Sequence, residues 1–206
     1  MTSLTKTTAA VLAALTLTAT ATACTSGNTE PDPTPTSTEQ PALSGVGPAG
    51  RSPGQQATEG AITAVKGMYS AQVELEADHT KSLGLLDQYM VDPYLTAMRR
   101  NIELRRSKGI VSEGEIRVVR THPDEVAAPT DEDGNPVRGT AEVLLRTCAD
   151  VSELHAYDPE GVDTVDPNRL KQAQAIFRVV NDDWPSGDGW RVVENTLPTV
   201  EECDAY

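Results

Sequence analysis

The chain has 206 residues, of which 38% are hydrophobic and only 4% are aromatic. It carries 31 acidic against 17 basic side chains, a formal net charge of −14, so it lacks the positive field that a nucleic-acid partner requires. Beyond the N-terminus no apolar run reaches the ~18 to 20 residues of a membrane-spanning helix. These numbers indicate one modest folded domain and argue against binding to nucleic acid.

The N-terminus has the pattern of an export signal. Lys6 is followed by an uncharged run of small and apolar residues, 7–23, which is typical of a secretory signal peptide. The run ends in Ala21-Thr22-Ala23-Cys24, which resembles the bacterial lipobox, although that pattern prefers Leu at the position of Ala21. The resemblance implies that residues 1–23 are removed and that the thiol of Cys24 receives lipid. The alternative is ordinary cleavage after Ala23, which leaves Cys24 free.

A lipidated Cys24 would hold the mature protein on a membrane, because acyl chains such as palmitate anchor stably when two act together. We therefore expect a lipoprotein on the outer face of the cytoplasmic membrane. The segment after it, residues 24–56, contains six of the 14 prolines among Thr, Ser and Gly. Such a composition forms a flexible tether with an end-to-end distance of roughly 30 Å. The folded domain is expected to span residues 57–206.

The remaining two cysteines, Cys148 and Cys203, form an even pair in an oxidising compartment. A disulfide bond between them is therefore expected. The alternative is a catalytic Cys148, but the only histidines that could activate it are His79, His122 and His155, and no known motif connects any of them to it.

The domain begins with a helical pattern. Apolar residues at spacings of three and four predict an amphipathic helix over 57–80, and a short second helix is expected over 82–90. Asp92 and Pro93 predict the N-cap and first position of a third helix, which Gly109 ends. The cations of its last turn, Arg105, Arg106 and Lys108, are interpreted as dipole partners and solvated charge.

After Gly109 the apolar pattern changes to alternation, which predicts strands over 116–120, 140–147, 170–181 and 190–195. Turn-forming residues at 131–135 and 158–161 separate them. Helices followed by an antiparallel sheet indicate an α+β fold in which the helices lie on one face of the sheet.

Three features together resemble the cone-shaped nuclear transport factor two-like superfamily, which is also described as cystatin-like. They are the order of helices before strands, the last strand with the sequence Gly-Trp-Arg-Val-Val at residues 189–193, and a cysteine on a central strand. Within it, the chain resembles secreted lipoproteins of actinobacterial type. The resemblance covers residues 57–203 and rests on Trp190, Cys148 and Cys203. It implies a curved sheet and an extracytoplasmic location. It does not imply an activity, since one fold serves many functions.

Few groups are candidates for chemistry in a pocket between helices and sheet. The groups proposed for such a pocket are Asp78, Asp150, His155 and Tyr157. His79 follows Asp78 directly, so the two side chains would point about 100° apart on a helix, and Asp92 is assigned to the helix cap. No residue is assigned a catalytic role.

One acidic run partly matches a calcium-binding loop. Asp131, Asp133, Asn135 and Glu142 fall at loop positions one, three, five and twelve, but Pro136 occupies the position that requires glycine. We therefore predict an acidic hairpin and neither a metal nor a cofactor.

Three functions remain. We favour a non-catalytic module of the cell envelope, which binds an envelope protein or a second copy through its sheet face and the membrane through its lipid. The alternatives are a small-molecule carrier and a pocket enzyme of the isomerase, cyclase or hydrolase type. A filled space between helices and sheet would favour the first function, and an open space would favour the others.

Overall fold

The structure is a computed structural model that describes residues 50–196 and Cys203. The expected signal peptide, Cys24 and nearly all of the tether lie outside the described residues. Within the described part of the chain, no helix combines the length and hydropathy needed to cross a bilayer.

The first helix, α1, spans Pro53–Ala77 and so begins before the residue that the apolar stripe predicts. Ser52 caps it: the Ser52 hydroxyl accepts from the N–H of Gln55 at 3.2 Å, and the Gln55 side chain accepts from the N–H of Ser52 at 2.9 Å. This capping box satisfies N–H groups that have no partner within the helix. The periodicity misses the first turn because residues 53–56 include no large apolar side chain.

The predicted second helix is a 3₁₀ helix over Leu83–Gln88, and the third, α2, spans Tyr94–Ser107. The N-cap of α2 is Pro93, so the prediction that Asp92 occupies this position is wrong by one residue. Asp92 still serves the helix terminus, because its Oδ1 accepts from the N–H of Thr96 at 3.1 Å and from its hydroxyl at 2.6 Å. Asp92 lies one residue before the N-cap position, and its carboxylate still accepts from an N–H group that has no partner within the helix.

Gly109 ends α2 as predicted. Its φ is +68°, a left-handed conformation that favours glycine. The N–H groups of Gly109 and Ile110 donate to the carbonyls of Arg106 and Arg105, at 2.9 and 3.1 Å. This is a Schellman motif, which satisfies carbonyls that the helix leaves free.

In the part of the chain that the structure describes, six strands follow, and their bounds are β1 Val111–Glu113, β2 Arg117–Ala127, β3 Gly139–Asp150, β4 His155–Tyr157, β5 Gln172–Trp184 and β6 Trp190–Thr196. Four of them form an antiparallel sheet in the order β2-β3-β5-β6, and β1 pairs with β4 in a separate two-stranded sheet. The four predicted strands are all present with shifted ends. The sequence did not predict β1 and β4, because three residues are too few to show alternation. The α+β class is confirmed.

The helices lie against one face of the four-stranded sheet. Alternate residues of β3 and β5 point toward α1, and they join its apolar stripe in one buried cluster whose largest members are Met68, Leu75, Leu145, Phe177, Trp184 and Trp190. Tyr69 of α1 packs edge-on against Phe177 of β5, with ring centroids 5.9 Å apart. Burial of apolar area on this face is therefore what joins the helices to the sheet.

Two glycines allow aromatic side chains to lie directly on the backbone of α1. A Cβ added to Gly60 would lie 2.1 Å from Nε1 of Trp190, and one added to Gly67 would lie 2.2 Å from the ring of Tyr89. Glycine costs stability in a helix interior, so its presence at both positions reflects the close approach of the two rings.

A buried ionic cluster joins α1, α2 and β1. Glu76, which is 5% exposed, accepts a hydrogen bond of 2.6 Å from the Ser112 hydroxyl, which in turn accepts one of 2.9 Å from Arg105. Arg105 Nε also lies 3.2 Å from the Glu76 carboxylate, which makes an ion pair. The carboxylate is thus neutralised where water cannot solvate it.

Arg106 binds the C-terminal end of α1. It donates to the carbonyls of Leu75, Asp78 and Lys81, at 2.8, 3.2 and 3.0 Å. The interpretation of Arg105 and Arg106 as solvated charge is therefore wrong: both guanidinium groups hold α2 against α1. Arginine suits this role because its planar fork of donors can reach several acceptors at once.

Cys148 of β3 and Cys203 are joined by a disulfide bond, the pairing that the cysteine count predicts. The bond spans a sequence separation of 55 residues. In the chain-entropy model, closing a loop of that length contributes about 4 kcal/mol to stability.

The buried cluster gives a test of the fold. Replacing Glu76 with Ala leaves Arg105 and Ser112 without their buried partner, and we expect the free energy of unfolding to fall by about 3 kcal/mol. Glu74, two residues earlier on α1, pairs with Lys81 in solvent, so Glu74→Ala should cost less than about 1 kcal/mol. Urea denaturation followed by circular dichroism measures both values. Equal losses for the two variants would contradict the buried role of Glu76.

Candidate functional site

The space between the helices and the sheet is filled by side chains. Phe177 lies at its centre, with Tyr69 and Tyr94 packed edge-on at 5.9 and 6.3 Å between ring centroids. Met68 and Leu145 are fully buried beside them. The aromatic and aliphatic side chains therefore occupy the volume for which the sequence left an open pocket as one alternative.

Two tyrosine hydroxyls are among the polar groups of this interior, together with the fully buried Thr147 and Asn181. Burial, together with the neighbouring Tyr94, raises the pKa of Tyr69 well above its ordinary range, and burial likewise raises the pKa of Tyr94. Tyr69 shares a hydrogen bond with Thr147, and Tyr94 shares one with Asn195. Both hydroxyls keep their protons at neutral pH and act as hydrogen-bonding groups of the core. Sequence reasoning missed both hydroxyls, because a tyrosine among apolar residues of a helix is interpreted as part of the apolar stripe.

Asp78 and His79 lie at the C-terminal end of α1. Asp78 accepts hydrogen bonds from the N–H and hydroxyl of Thr80, at 2.9 and 2.6 Å, and these bonds lower its pKa. His79 Nε2 lies 2.9 Å from the carbonyl oxygen of Ile110. Each side chain therefore organises the backbone of the loop after the helix.

Asp150 and His155 have different partners. Asp150 accepts from the N–H of Ser152 at 2.9 Å and pairs with Arg117 at 3.1 Å. The hydrogen bonds from Ser152, followed by Arg117, lower its pKa. No contact between Asp150 and His155 is present among the described interactions, so the structure does not bring them together as an acid–base pair.

His155 forms a small cluster with Tyr157 and Asp163. Its Nδ1–H donates to the Asp163 carboxylate at 2.8 Å, and its ring stacks on that of Tyr157 with centroids 6.2 Å apart. The side chains of His155 and Asp163 are 45% and 36% exposed, so the cluster lies at the surface. Asp163 was missed by sequence reasoning. The predicted turn at 158–161 brings Asp163 back beside β4, where its backbone forms an antiparallel β-bridge with Tyr157.

The acidic turn that resembles a calcium loop is closed by its own hydrogen bonds. Asp131 accepts from the N–H groups of Asp133 and Asn135, at 3.0 and 2.7 Å. Glu142 lies on β3 and pairs with Arg178 at 3.4 Å. Within residues 50–196 and Cys203, no group of three acidic, histidine or cysteine side chains has the geometry of a metal site.

The second face of the four-stranded sheet, here named the outer face, is built from the residues of β3 and β5 that alternate with the core: Leu144, Arg146, Ile176, Arg178 and Val180, with their cross-strand neighbours. Both described α-helices lie against the opposite face. Arg146 and Arg178 are 32% and 36% exposed, and Leu144 and Ile176 are half-buried.

Arginines mark this face, among them Arg117 and Arg120 of β2, Arg146 of β3 and Arg178 of β5. Arg146 pairs with Asp124 at 2.8 Å, and Arg178 pairs with both Glu142 and Glu194 at 3.4 Å. The outer face therefore balances its charges within a chain whose net charge is −14. Arginine is one of the residue types enriched in protein–protein interfaces.

No protein-family model matches the chain, and a search of curated proteins also finds no match. Among solved structures, the chain is similar to the intermembrane space region of the chloroplast protein ARC6, with 13% identity, a TM-score of 0.46, and coverage of 68% of this chain and 94% of that one. It is also similar to a de novo designed β-sheet protein, with 16% identity, a TM-score of 0.26, and coverage of 72% and 98%.

The His155 cluster makes a prediction about pH. The hydrogen bond from His155, followed by the N–H of Val165, lowers the pKa of Asp163. Replacing His155 with Phe removes the largest cause, so the pKa of Asp163 should rise toward about 3.9, its value in model peptides. Because the pKa is lowered in the folded state, the carboxylate stabilises the fold above its unfolded pKa and loses this effect as the pH falls through the folded value.

Two measurements test this prediction. Carboxyl resonances followed by NMR titration give the pKa of Asp163 in the natural chain and in His155→Phe. Unfolding of the natural chain and of Asp163→Asn between neutral and acidic pH should show a difference in stability that shrinks as the carboxylate is protonated. A difference that stays constant down to the most acidic pH would contradict the assignment.

Proposed function

We propose that the protein is a lipid-anchored, extracytoplasmic and non-catalytic module of the cell envelope, which binds an envelope protein through the outer face of its sheet. In this proposal Cys24 carries the lipid on the outer face of the cytoplasmic membrane, and the segment from Cys24 to the start of α1 is the tether. We also propose that the domain has the curved cone of the nuclear transport factor two-like superfamily. The helix–sheet order and the position of Trp190 support this shape.

The observation that carries the binding proposal is the outer face itself. Its half-buried aliphatic residues, Leu144 and Ile176, lie among arginines whose charges are already balanced by acidic neighbours. A partner can therefore cover them without meeting the repulsion that the acidic remainder of the chain would impose. In a typical interface such aliphatic residues form the centre and the ion pairs form the rim.

The packed interior favours a binding module over the alternatives. A carrier or pocket enzyme needs room for a ligand between helices and sheet, with an ionisable group in reach of it. Phe177, Tyr69 and Tyr94 occupy that volume. The ionisable residues named from the sequence lie elsewhere and have structural partners: Asp78 with Thr80, Asp150 with Ser152 and His155 with Asp163.

The anchor makes a prediction that is independent of the sheet. In cells that express the complete precursor, Cys24→Ala should abolish incorporation of labelled palmitate and move the protein from the detergent phase to the aqueous phase, because no thiol remains to carry lipid. Thr22→Ala is the matched control, since it keeps a small residue in the recognition sequence and should leave both readouts unchanged. Incorporation of labelled palmitate that persists in Cys24→Ala would contradict lipid attachment at this residue.

The binding surface is tested by photo-crosslinking in intact envelopes. A photo-reactive amino acid at position 178 replaces a side chain whose ion pairs are solvent-exposed and contribute little to stability. The same amino acid at position 103, an exposed site on α2, is the control. We expect position 178 to give a crosslinked species and position 103 to give none.

The mass of the crosslinked species distinguishes the two partners that the sequence left open. A new mass that is not twice that of the chain supports an envelope protein, which peptide sequencing then identifies. A doubled mass indicates a second copy and would replace the proposed partner. Equal crosslinking from both positions, or none from position 178, would overturn the outer face as the binding surface.

A further inference from the structure

The two cysteines of the disulfide bond differ in their exposure. Cys148 of β3 is fully buried, and the side-chain oxygen of Gln172 lies 3.7 Å from its Sγ. Cys203 is only half-buried. A reagent that approaches the bond from solvent therefore reaches Cys203 before Cys148.

A groove leads to Cys203. It has a volume of about 530 Å³ and lies beside the start of β5, where residues 168–172 and Cys203 form its described lining. Cys148 is not part of this described lining. A groove of this size has room for a small molecule, such as a low-molecular-weight thiol.

Arg120 places a positive charge beside the same bond. It is the cross-strand partner of Cys148, so both side chains lie on the outer face. Its guanidinium group donates to the carbonyl oxygen of Cys203 at 3.1 Å. When a disulfide is attacked at one sulfur, the other sulfur leaves as a thiolate, which a nearby cation stabilises. The position of Arg120 therefore favours Cys148 as the leaving group.

We propose that Cys203 is a site of thiol–disulfide exchange with a low-molecular-weight thiol. The thiolate of the small molecule attacks Sγ of Cys203 and forms a new S–S bond there, while the bond to Cys148 breaks and its electron pair passes to Sγ of Cys148. A second molecule of the thiol attacks the mixed disulfide in the same way. It releases the disulfide of the small molecule and leaves both cysteines reduced.

Exchange at this position opens the bond without interrupting any described helix or strand. Cys203 lies beyond β6, which ends at Thr196, so the bond fastens Cys203 to the outer face. Its opening releases Cys203 and uncovers Cys148, so the covalent state of Cys203 determines whether this end of the outer face is covered. This inference does not depend on the proposed partner of the outer face.

The experiment locates the mixed disulfide. It uses the mature chain from residue 24 onward with Cys24→Ser, which leaves Cys148 and Cys203 as the only cysteines. The probe is 2-mercaptoethanol, because an uncharged thiol is not biased by the acidic residues that flank Cys203 in the sequence. Samples are quenched in acid, which removes the thiolate and stops exchange, then digested with pepsin and analysed by mass spectrometry. At early times we expect about tenfold more adduct on Cys203 than on Cys148.

The role of Arg120 is tested by the initial rate of exchange. Arg120→Gln removes the cation beside Cys148 and should slow the reaction about fivefold. A merely structural role predicts the opposite, because losing the bond to the carbonyl of Cys203 would loosen this residue and speed the attack. Arg120→Lys keeps the charge and should retain the rate within about twofold.

Arg138→Gln is the matched control. It removes the same charge from an exposed position just before β3, about 30 Å along the strand from Cys148, and should exchange like the parent chain. Circular dichroism before the thiol is added shows whether each variant is folded.

Three results would overturn the proposal or part of it. Equal adducts on the two cysteines, or an excess on Cys148, would remove Cys203 as the site of attack. A rate that does not rise with thiol concentration would do the same, since it would show that the domain has to unfold first. An unchanged or faster rate in Arg120→Gln would overturn the role of Arg120.

Discussion

The close approach of α1 to the four-stranded sheet is the contact on which the rest of the structure depends. Gly60 and Gly67 remove the side chains that would hold Trp190 and Tyr89 away from the helix. This allows β6 and the segment after the 3₁₀ helix to pack against the same helical face. Because the helix lies so close to the sheet, the aromatic rings between them fill the interior. The aromatic side chains thus occupy the volume that a ligand-binding pocket between helices and sheet would need.

Polar groups secure this arrangement from the other side of α1. Arg105 and Arg106 are neighbours at the end of α2, yet they serve two different purposes, since Arg105 neutralises buried Glu76 while Arg106 binds carbonyls at the end of α1. A buried ion pair need not add much net stability. It does restrict how α2 and β1 can sit against α1, because any other position would leave a charge without a partner.

The sequence predicts the elements of this fold better than it predicts the positions of its functional groups. Apolar periodicity finds both α-helices and all four long strands, and the even cysteine pair finds the disulfide, because each signal is local or arithmetic. The roles of Arg105, Asp163 and Tyr69 could not be read in this way. Arg105 and Tyr69 depend on partners from distant elements, and Asp163 depends on how the turn at 158–161 folds back onto β4. A charged residue at the end of a helix also looks the same in sequence whether it is solvated or buried. Gly60 shows a further limit: in sequence it indicates a weak point of a helix, whereas in the structure the ring of Trp190 packs directly against it.

The position of the disulfide has a practical consequence. Cys148 lies on the central strand β3 and its side chain is on the outer face, so Cys203 is held there, with 5.6 Å between the two Cα atoms and with its carbonyl bound by Arg120 at 3.1 Å. Whatever follows Cys203 in the chain therefore starts on the outer face. An affinity tag or a fluorescent protein fused at that end would be delivered to this surface and would compete with any molecule bound there. A reporter is better placed in an exposed loop on another side of the domain, such as the turn at residues 158–161.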